Sequence, residues 1–394
     1  MGLYGAMGIM MLVTCDTGFE NILAEELGEL AAIGLRGISS GRIFVEVYRY
    51  EDLANVFRSR IANNIYILVQ VEENVVHLDD IYRFVKSIDF AKFIEPWQTF
   101  AIRPERIGKH DFTSIDIGRV AGQAVIDSYL ESRGHRLKVN LDNPDVEIYV
   151  ELNVDRLIVA VSLTRSSLHL RGYKLFAHPA GLKPTIACAL LRFAGWRRDK
   201  PLVDPMCGGG TIPIEAALAS KGVEIPCISM DRIDVRTLYR LYPEAGEALH
   251  NLCRNSMLNE FDRIFVGIDI NPRFVEGAIV NAKNAGVDDA TLFLVGDFRG
   301  SIPKLKRIEN EIGVVFDTAV FNPPYGYRMK PRKLRELYED MLKILIDNGF
   351  RRIVFITSAT RVSEKVLESL RGIEVQKLKV IHGTLPSYVY RLEI

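Results

Sequence analysis

The stretch VDPMCGGGTIPIEAA, residues 203–217, does most to limit the folds open to this chain. An apolar strand stops on an acid, a run of glycines turns the chain, and a helical run starts at Thr211. Glycine lets the backbone pass close to a ligand, and the first helical turn offers unpaired N–H donors. Strand, tight turn and helix in this order belong in an α/β layer. No Gly-Lys-Ser/Thr follows, so the turn is not a phosphate-binding P-loop. Taken alone it does not say which ligand, since many cofactors use such a turn, and a tight turn with no ligand is the lesser alternative.

The flanking pattern extends that layer. From Pro184, helix and strand patterns alternate through PTIACALLRFAG, PLVD, TIPIEAALAS, IFVGIDI, RFVEGAIVNAKNAG, TLFLVGD, GVVFDTAVFNPPYG, RKLRELYEDMLKILIDNG, RRIVFITSA and SEKVLESLRG. This predicts a doubly wound α/β domain, interrupted by a partly helical insertion at 222–262 and closed by an edge hairpin. Upstream, residues 10–70 read as strands alternating with helices, a ferredoxin-like layer. Residues 75–165 repeat such elements and end in a hairpin turning at Asn153-Val154-Asp155. Residues 166–183 lose periodicity and form a linker. At 394 residues the chain is long enough for two or three domains. The expected divisions are 1–70, 71–165, the linker 166–183, and 184–394.

Three further strand ends carry chemistry. Asp269, closing FVGIDI, is placed to accept both hydroxyls of a ribose. Its distance from the glycines exceeds the usual spacing of about 20 residues, which the insertion explains. Asp297 and Phe298, after TLFLVG, offer a carboxylate and a backbone N–H to an adenine edge; either acid is also a plausible helix cap. The fourth strand ends in Asn322-Pro323-Pro324-Tyr325-Gly326. The Asn322 side-chain oxygen and the Pro323 carbonyl can each accept one hydrogen of an exocyclic amine. That turns the amine's delocalised lone pair towards an electrophile, while the Tyr325 ring offers a stacking face and the prolines stiffen the turn.

NPPY downstream of a glycine turn resembles the class I S-adenosylmethionine-dependent methyltransferases that act on amino nitrogens. DPMCGGGTIPIEAA with NPPYG, behind a long N-terminal region, resembles more narrowly the THUMP-domain RNA methyltransferases. The resemblance is strong over 178–326 and weak over 1–165. It implies a Rossmann-like class I methyltransferase domain with a mixed seven-stranded sheet, behind ferredoxin-like and THUMP regions. It further implies formation of N2-methylguanosine in tRNA, at position 6 in the acceptor stem or, in the sister enzymes, at position 10. On this resemblance the cofactor lies over Asp204, Met206, Cys207, Gly208, Gly209, Gly210 and Thr211, against Asp269, Ile270, Asp297, Phe298 and Asn322. Pro184 and Thr185, in HPAGLKPTIACALL, would reach its methionine part. Gly209 departs from the Ser or Thr commoner in the family. His178 reads as a structural histidine, and Cys207 as a small filler of the turn.

Net charge is zero, with 50 basic and 50 acidic residues, so RNA must be held by local clusters. Arg328, Lys330, Arg332 and Lys333 follow the amine-binding turn. Arg133, Arg136 and Lys138 form a second cluster. A third, at Arg192, Arg197, Arg198 and Lys200, reads as a solvated helix end. The five cysteines lie far apart with no C-x-x-C pair, which argues against a zinc site or a disulfide framework and fits a reducing cytoplasm. No uncharged run reaches the roughly 18 residues of a membrane span. The expectation is a cytoplasmic enzyme using S-adenosylmethionine and tRNA, with no metal and no obligate protein partner. The rivals are a DNA adenine-N6 methyltransferase, an RNA-binding module on an inactive methyltransferase fold, and a nicotinamide dehydrogenase.

Overall fold

The computed structural model describes residues 8–254, 264–326, 330–370 and 372–394. The chain begins with β1 (Ile9–Thr14), α1 (Glu20–Leu30), β2 (Ile33–Ser39), β3 (Arg42–Val47), α2 (Tyr50–Val56) and β4 (Asn64–Glu72). It continues through α3 (Leu78–Lys86), β5 (Thr99–Ile107), α4 (Ser114–Arg133), β6 (Lys138–Val139), β7 (Val146–Asn153) and β8 (Arg156–Ser162). These strands form one eight-stranded sheet in the order β2-β3-β1-β4-β8-β7-β5-β6. The first four strands with α1 and α2 make the βαββαβ order of a ferredoxin-like unit. Because β4 pairs antiparallel with β8, the sheet runs unbroken from the first unit into the second.

Strand β2 is absent from the sequence reading. It is an edge strand carrying Gly34 and Gly37, with its register shifted between Leu35 and Gly37, so its apolar alternation is faint. The hairpin at 153–155 is present, with Asn153 opposite Arg156. Val154 takes a φ of 59°, a left-handed conformation that the tight turn imposes on a β-branched residue.

The C-terminal half contains α5 (Pro184–Phe193), β9 (Leu202–Asp204), α6 (Thr211–Ser220), α7 (Ile225–Ser229), α8 (Val235–Leu241), α9 (Pro243–Arg254), β10 (Phe265–Asp269) and α10 (Pro272–Ala285). Then follow β11 (Thr291–Val295), α11 (Phe298–Ile312), β12 (Thr318–Phe321), α12 (Pro331–Asp347), β13 (Arg352–Thr357), α13 (Thr360–Leu367), β14 (Glu374–His382) and β15 (Leu385–Glu393). The seven strands order as β11-β10-β9-β12-β13-β15-β14. The first five run parallel, while β15 lies antiparallel to both β13 and β14. Helix α11 is also missing from the sequence reading; Pro303 lies inside it and disguises the helical pattern. The local signals for α10 are complete, with Asn271 accepting from Arg273 N, Pro272 in the first turn and Gly286 at φ 67° past the end. Aromatic rings of three adjacent strands stack through the core, Phe321 on Phe355 at 5.6 Å and Phe355 on Tyr390 at 5.3 Å.

The order of the sheet reverses at β9, which lies between β10 and β12. A crevice therefore opens at the carboxyl ends of these strands.

The insertion supplies α7, α8 and α9, and it corrects one expectation. Cys227 and Cys253 are joined in a disulfide, their Cα atoms 5.2 Å apart. Helices α7 and α9 pack together, so cysteines 26 residues apart meet across a helical corner that sequence spacing does not reveal.

A buried charged cluster joins the two halves. Glu215, on α6, accepts from Tyr173 Oη at 2.8 Å and from Cys188 Sγ at 3.2 Å. Arg171, in the linker, approaches the same carboxylate at 3.5 Å, and both side chains are wholly buried. Its guanidinium also donates to Arg60 O at 3.0 Å and to Leu168 O. Among the described residues no helix is long and apolar enough to cross a membrane, and no His/Cys/Asp/Glu cluster could hold a metal ion.

Candidate active site

Strand β9 delivers Asp204 to the crevice, buried, with Oδ1 accepting from Met206 N at 3.0 Å. Burial first, and the Asp269 charge second, push its carboxyl well above the usual range, against the pull of the Met206 N–H. The turn closes with Gly210 N donating to Cys207 O at 2.9 Å. Gly210 takes a φ of 78°, and a Cβ there would lie 2.8 Å from the Phe293 ring and 2.9 Å from Ala278 Cβ. Only glycine fits. Asn281, wholly buried, donates to Gly209 O at 3.0 Å and Phe176 O at 3.1 Å, and accepts from Phe176 N at 2.8 Å. Its amide ties the linker to the back of the turn. Cys207 is buried, and burial pushes its thiol well up, which suits a filler and not a nucleophile.

Asp269 is fixed at the tip of β10 by two backbone donors, Gly208 N at 3.0 Å and Asn271 N at 2.9 Å. A carboxylate has about four lone-pair positions, so both oxygens can accept again. Asp297 caps α11 through Arg299 N at 2.9 Å and pairs with Arg299 Nη1 at 2.9 Å. The capping reading of Asp297 is therefore realised, and the residue still faces the crevice.

At the end of β12, Asn322 is half-buried and Pro323 is buried. Tyr338 Oη donates to Pro324 O at 3.3 Å and lies 2.7 Å from the Thr357 hydroxyl, bracing the proline turn from α12. Gly326 has a φ of 86°, and a Cβ on it would run into the Leu334 side chain. The Tyr325 hydroxyl donates to Asn322 Oδ1 at 2.8 Å and lies 2.8 Å from His382 Nδ1. The acceptor and the stacking ring of the sequence reading are thus bonded to each other.

A cleft of about 940 Å³ gathers these groups, a size suited to a nucleoside-containing ligand. Its walls include Asp204, Met206, Cys207, Gly208, Gly209, Thr211, Asp269, Ile270, Asp297, Phe298, Asn322, Pro323 and Tyr325. Gly210 supports the turn from behind. Pro184 and Thr185 are not on the walls; Thr185 is buried, bonded to Asn63 Oδ1 at 3.1 Å and Asp16 Oδ2 at 3.4 Å.

Wall residues that the sequence does not assign to the site include His178, Phe274, Leu337 and His382. The His178 ring would meet a Cβ on Gly208 at 3.3 Å, and it stands edge-on to Phe274 with centroids 4.2 Å apart. Its Nδ1 accepts from Ala180 N at 3.1 Å. Its position directly before the Pro-Ala-Gly turn of the linker was the only available signal.

Of the basic residues, Arg328 lies outside the described residues. Lys330 stands at the N-cap position of α12 with no side-chain capping bond, and both it and Lys333 are exposed. Arg332 pairs with Glu336 at 3.0 Å, so part of this charge is balanced within the helix. Arg133, Arg136 and Lys138 are exposed at the far end of α4 and on β6. Thr99 pairs with Lys138, which puts Trp97, 79% exposed, beside that second cluster.

A family model for the RMKL-like methyltransferase domain matches residues 171–388, and one for the THUMP domain matches residues 75–162. A tRNA (guanine(6)-N2)-methyltransferase of Methanocaldococcus jannaschii is 36% identical, over 97% of this chain and 99% of that one. A possible methylase from Clostridium difficile 630 superposes with a TM-score of 0.81 at 23% identity, covering 98% of each chain. SMU.472, a methyltransferase solved in complex with SAH, gives a TM-score of 0.76 at 21% identity, again over 98% of each chain.

Proposed function

This chain belongs to the RMKL-like methyltransferases that carry a THUMP domain, and from that premise we propose that it methylates the exocyclic N2 of guanosine 6 in the acceptor stem of tRNA. It is a transferase that takes its methyl group from S-adenosylmethionine. The observation that carries the reading is the cleft itself, where the glycine turn and Asp269 face the same space as Asn322 and Pro323.

The residues present fit that cofactor. The turn admits close backbone approach only because its positions are glycine, and Asp269 is held with lone pairs to spare for a ribose. When bound, S-adenosylmethionine supplies an electrophilic methyl group on sulfur. Asn322 Oδ1 and the Pro323 carbonyl each accept a hydrogen of the target amine and turn its lone pair towards that methyl carbon. Position and orientation of this kind can supply roughly 7–11 kcal/mol. The amine nitrogen forms its bond to the methyl carbon as the carbon–sulfur bond breaks and the sulfur leaves as a neutral thioether. The proton lost from the nitrogen passes to solvent while Asn322 Oδ1 and the Pro323 carbonyl hold the amine in place. Tyr325 shares Asn322 Oδ1 with the incoming amine and lends its ring to the base.

A guanine in a stem is paired and stacked, so the enzyme must flip it, at a cost of a few kcal/mol. We assign Lys330, Lys333 and, with its charge partly balanced, Arg332 to phosphates near the flipped base. Arg328 joins them by sequence position. Arg133, Arg136 and Lys138, with Trp97 as a stacking ring, hold a more distant part of the tRNA. In this division residues 71–165 carry the RNA and 184–394 the chemistry, with 1–70 as the ferredoxin-like unit and 166–183 as the linker. A cytoplasmic location follows from the tRNA substrate and not from the cysteines, two of which are bonded.

Incubation with labelled S-adenosylmethionine and either bulk tRNA or duplex DNA, followed by nucleoside mapping, tests the proposal. The expected product is N2-methylguanosine at position 6. Label at position 10 would reassign the site, and N6-methyladenine in DNA would overturn the substrate class. Replacing Asp269 by alanine will weaken S-adenosylmethionine binding by about 100-fold, the worth of two charge-assisted hydrogen bonds. Calorimetry giving wild-type affinity would remove Asp269 from the site.

A further inference from the structure

Asn322 can serve an amine only with its oxygen forward. A carboxamide turned over presents NH₂ to a group whose hydrogens also need acceptors, and the two orientations differ little in shape. The hydrogen count around Tyr325 bears on which is held. Its hydroxyl has a single hydrogen and lies 2.8 Å from both Asn322 Oδ1 and His382 Nδ1. A carboxamide oxygen only accepts, so the phenol hydrogen goes to Asn322 and His382 Nδ1–H donates to the phenol oxygen.

From this chain we infer that His382 is a further positioning residue for the transfer, which aims the Tyr325 hydroxyl at Asn322 and so keeps the carboxamide oxygen available to the substrate amine. The inference rests on the function proposed above. Tyr325 takes one lone pair of Oδ1 and leaves the other for the amine.

Two features place His382 for this work. It ends β14 opposite Leu385, and the neighbouring Ile381 N donates to Thr17 O at 2.9 Å. The loop between β1 and α1 thereby anchors the hairpin that carries the imidazole into the cleft. Its ring also stands edge-on to Tyr325, with centroids 6.0 Å apart. The charges facing it, Asp16 and Lys183, are paired with each other at 2.7 Å. Burial lowers its affinity for a second proton, so the neutral ring offers one N–H, and Tyr325 takes it.

The test compares His382→Phe, which keeps a ring but no donor, with His382→Asn, which restores an N–H near the Nδ1 position. With tRNA, His382→Phe will lower kcat about tenfold, the worth of one orienting hydrogen bond, and leave cofactor Kd within about twofold. His382→Asn will recover most of that loss. In a Tyr325→Phe background, adding His382→Phe will cost less than about twofold more, since the group it orients is already gone. Wild-type kcat in His382→Phe, equal losses in His382→Phe and His382→Asn, or losses that multiply in the double variant would each overturn the inference. Wild-type protein that makes no N2-methylguanosine would instead sink the proposed function, which keeps the two failures apart.

Discussion

Asn322→Ala will lower turnover on tRNA by about 10²–10³-fold, the loss seen when a single preorganised polar contact at a reacting centre is removed. Cofactor affinity will stay within about fivefold, because Asp269 and the glycine turn, which do most of that binding, lie on other strands. The magnitude follows from what the side chain does. A guanine N2 is a poor nucleophile because its lone pair is shared with the ring. Only when both hydrogens are held out of the ring plane does the pair point at the methyl carbon. Without Asn322 the Pro323 carbonyl holds one hydrogen and the amine rotates. Tyr325 also loses that acceptor. Asn322→Asp will fall less, since a carboxylate still accepts. Single-turnover kinetics with saturating cofactor separate the chemical step from binding. An unchanged rate would remove Asn322 from the mechanism, and an equal loss in cofactor affinity would make it a binding residue.

Glu215→Ala will destabilise the protein by about 3–5 kcal/mol, the cost of leaving one member of a buried ion pair uncompensated. Four groups converge on this carboxylate, from Arg60 in the N-terminal sheet unit, Arg171 and Tyr173 in the linker, and Cys188 on α5. Alanine would strand the Arg171 guanidinium, whose remaining partners are the carbonyls of Leu168 and Arg60. Removing the Glu336 partner of Arg332 is the contrast. Arg332 is 91% exposed, water replaces the carboxylate, and the loss will be about 0.5 kcal/mol or less. Urea denaturation of the two variants beside wild type gives both numbers. A Glu215→Ala midpoint shifted no further than that of Glu336→Ala would mean that the cluster does not hold the halves together.

Much of the site was legible because its chemistry is local. Asp204, the glycines, Asp269, Asp297 and the NPPYG turn each end a strand, and a strand end followed by a turn is visible within a few residues. The parallel core of the C-terminal domain announced itself through apolar runs such as RRIVFIT. Where the local pattern was weak, elements were lost. Strand β2 has glycines and a bulge in place of clean alternation, and α11 contains a proline.

The amino-acid sequence by itself determined which groups could reach a ligand along each strand and in what order, because backbone conformation and strand ends are set by neighbours in the chain. Only the tertiary structure decided what stands opposite them. Tyr325 and His382 are 57 residues apart, Thr185 and Asn63 are 122 apart, and Cys227 meets Cys253 across two helices. Contacts of that kind depend on how sheets and helices pack, and side chains with no periodic or turn-forming signature leave no trace of them in sequence. His178 and His382 joined the cleft, and Thr185 left it, for that reason alone.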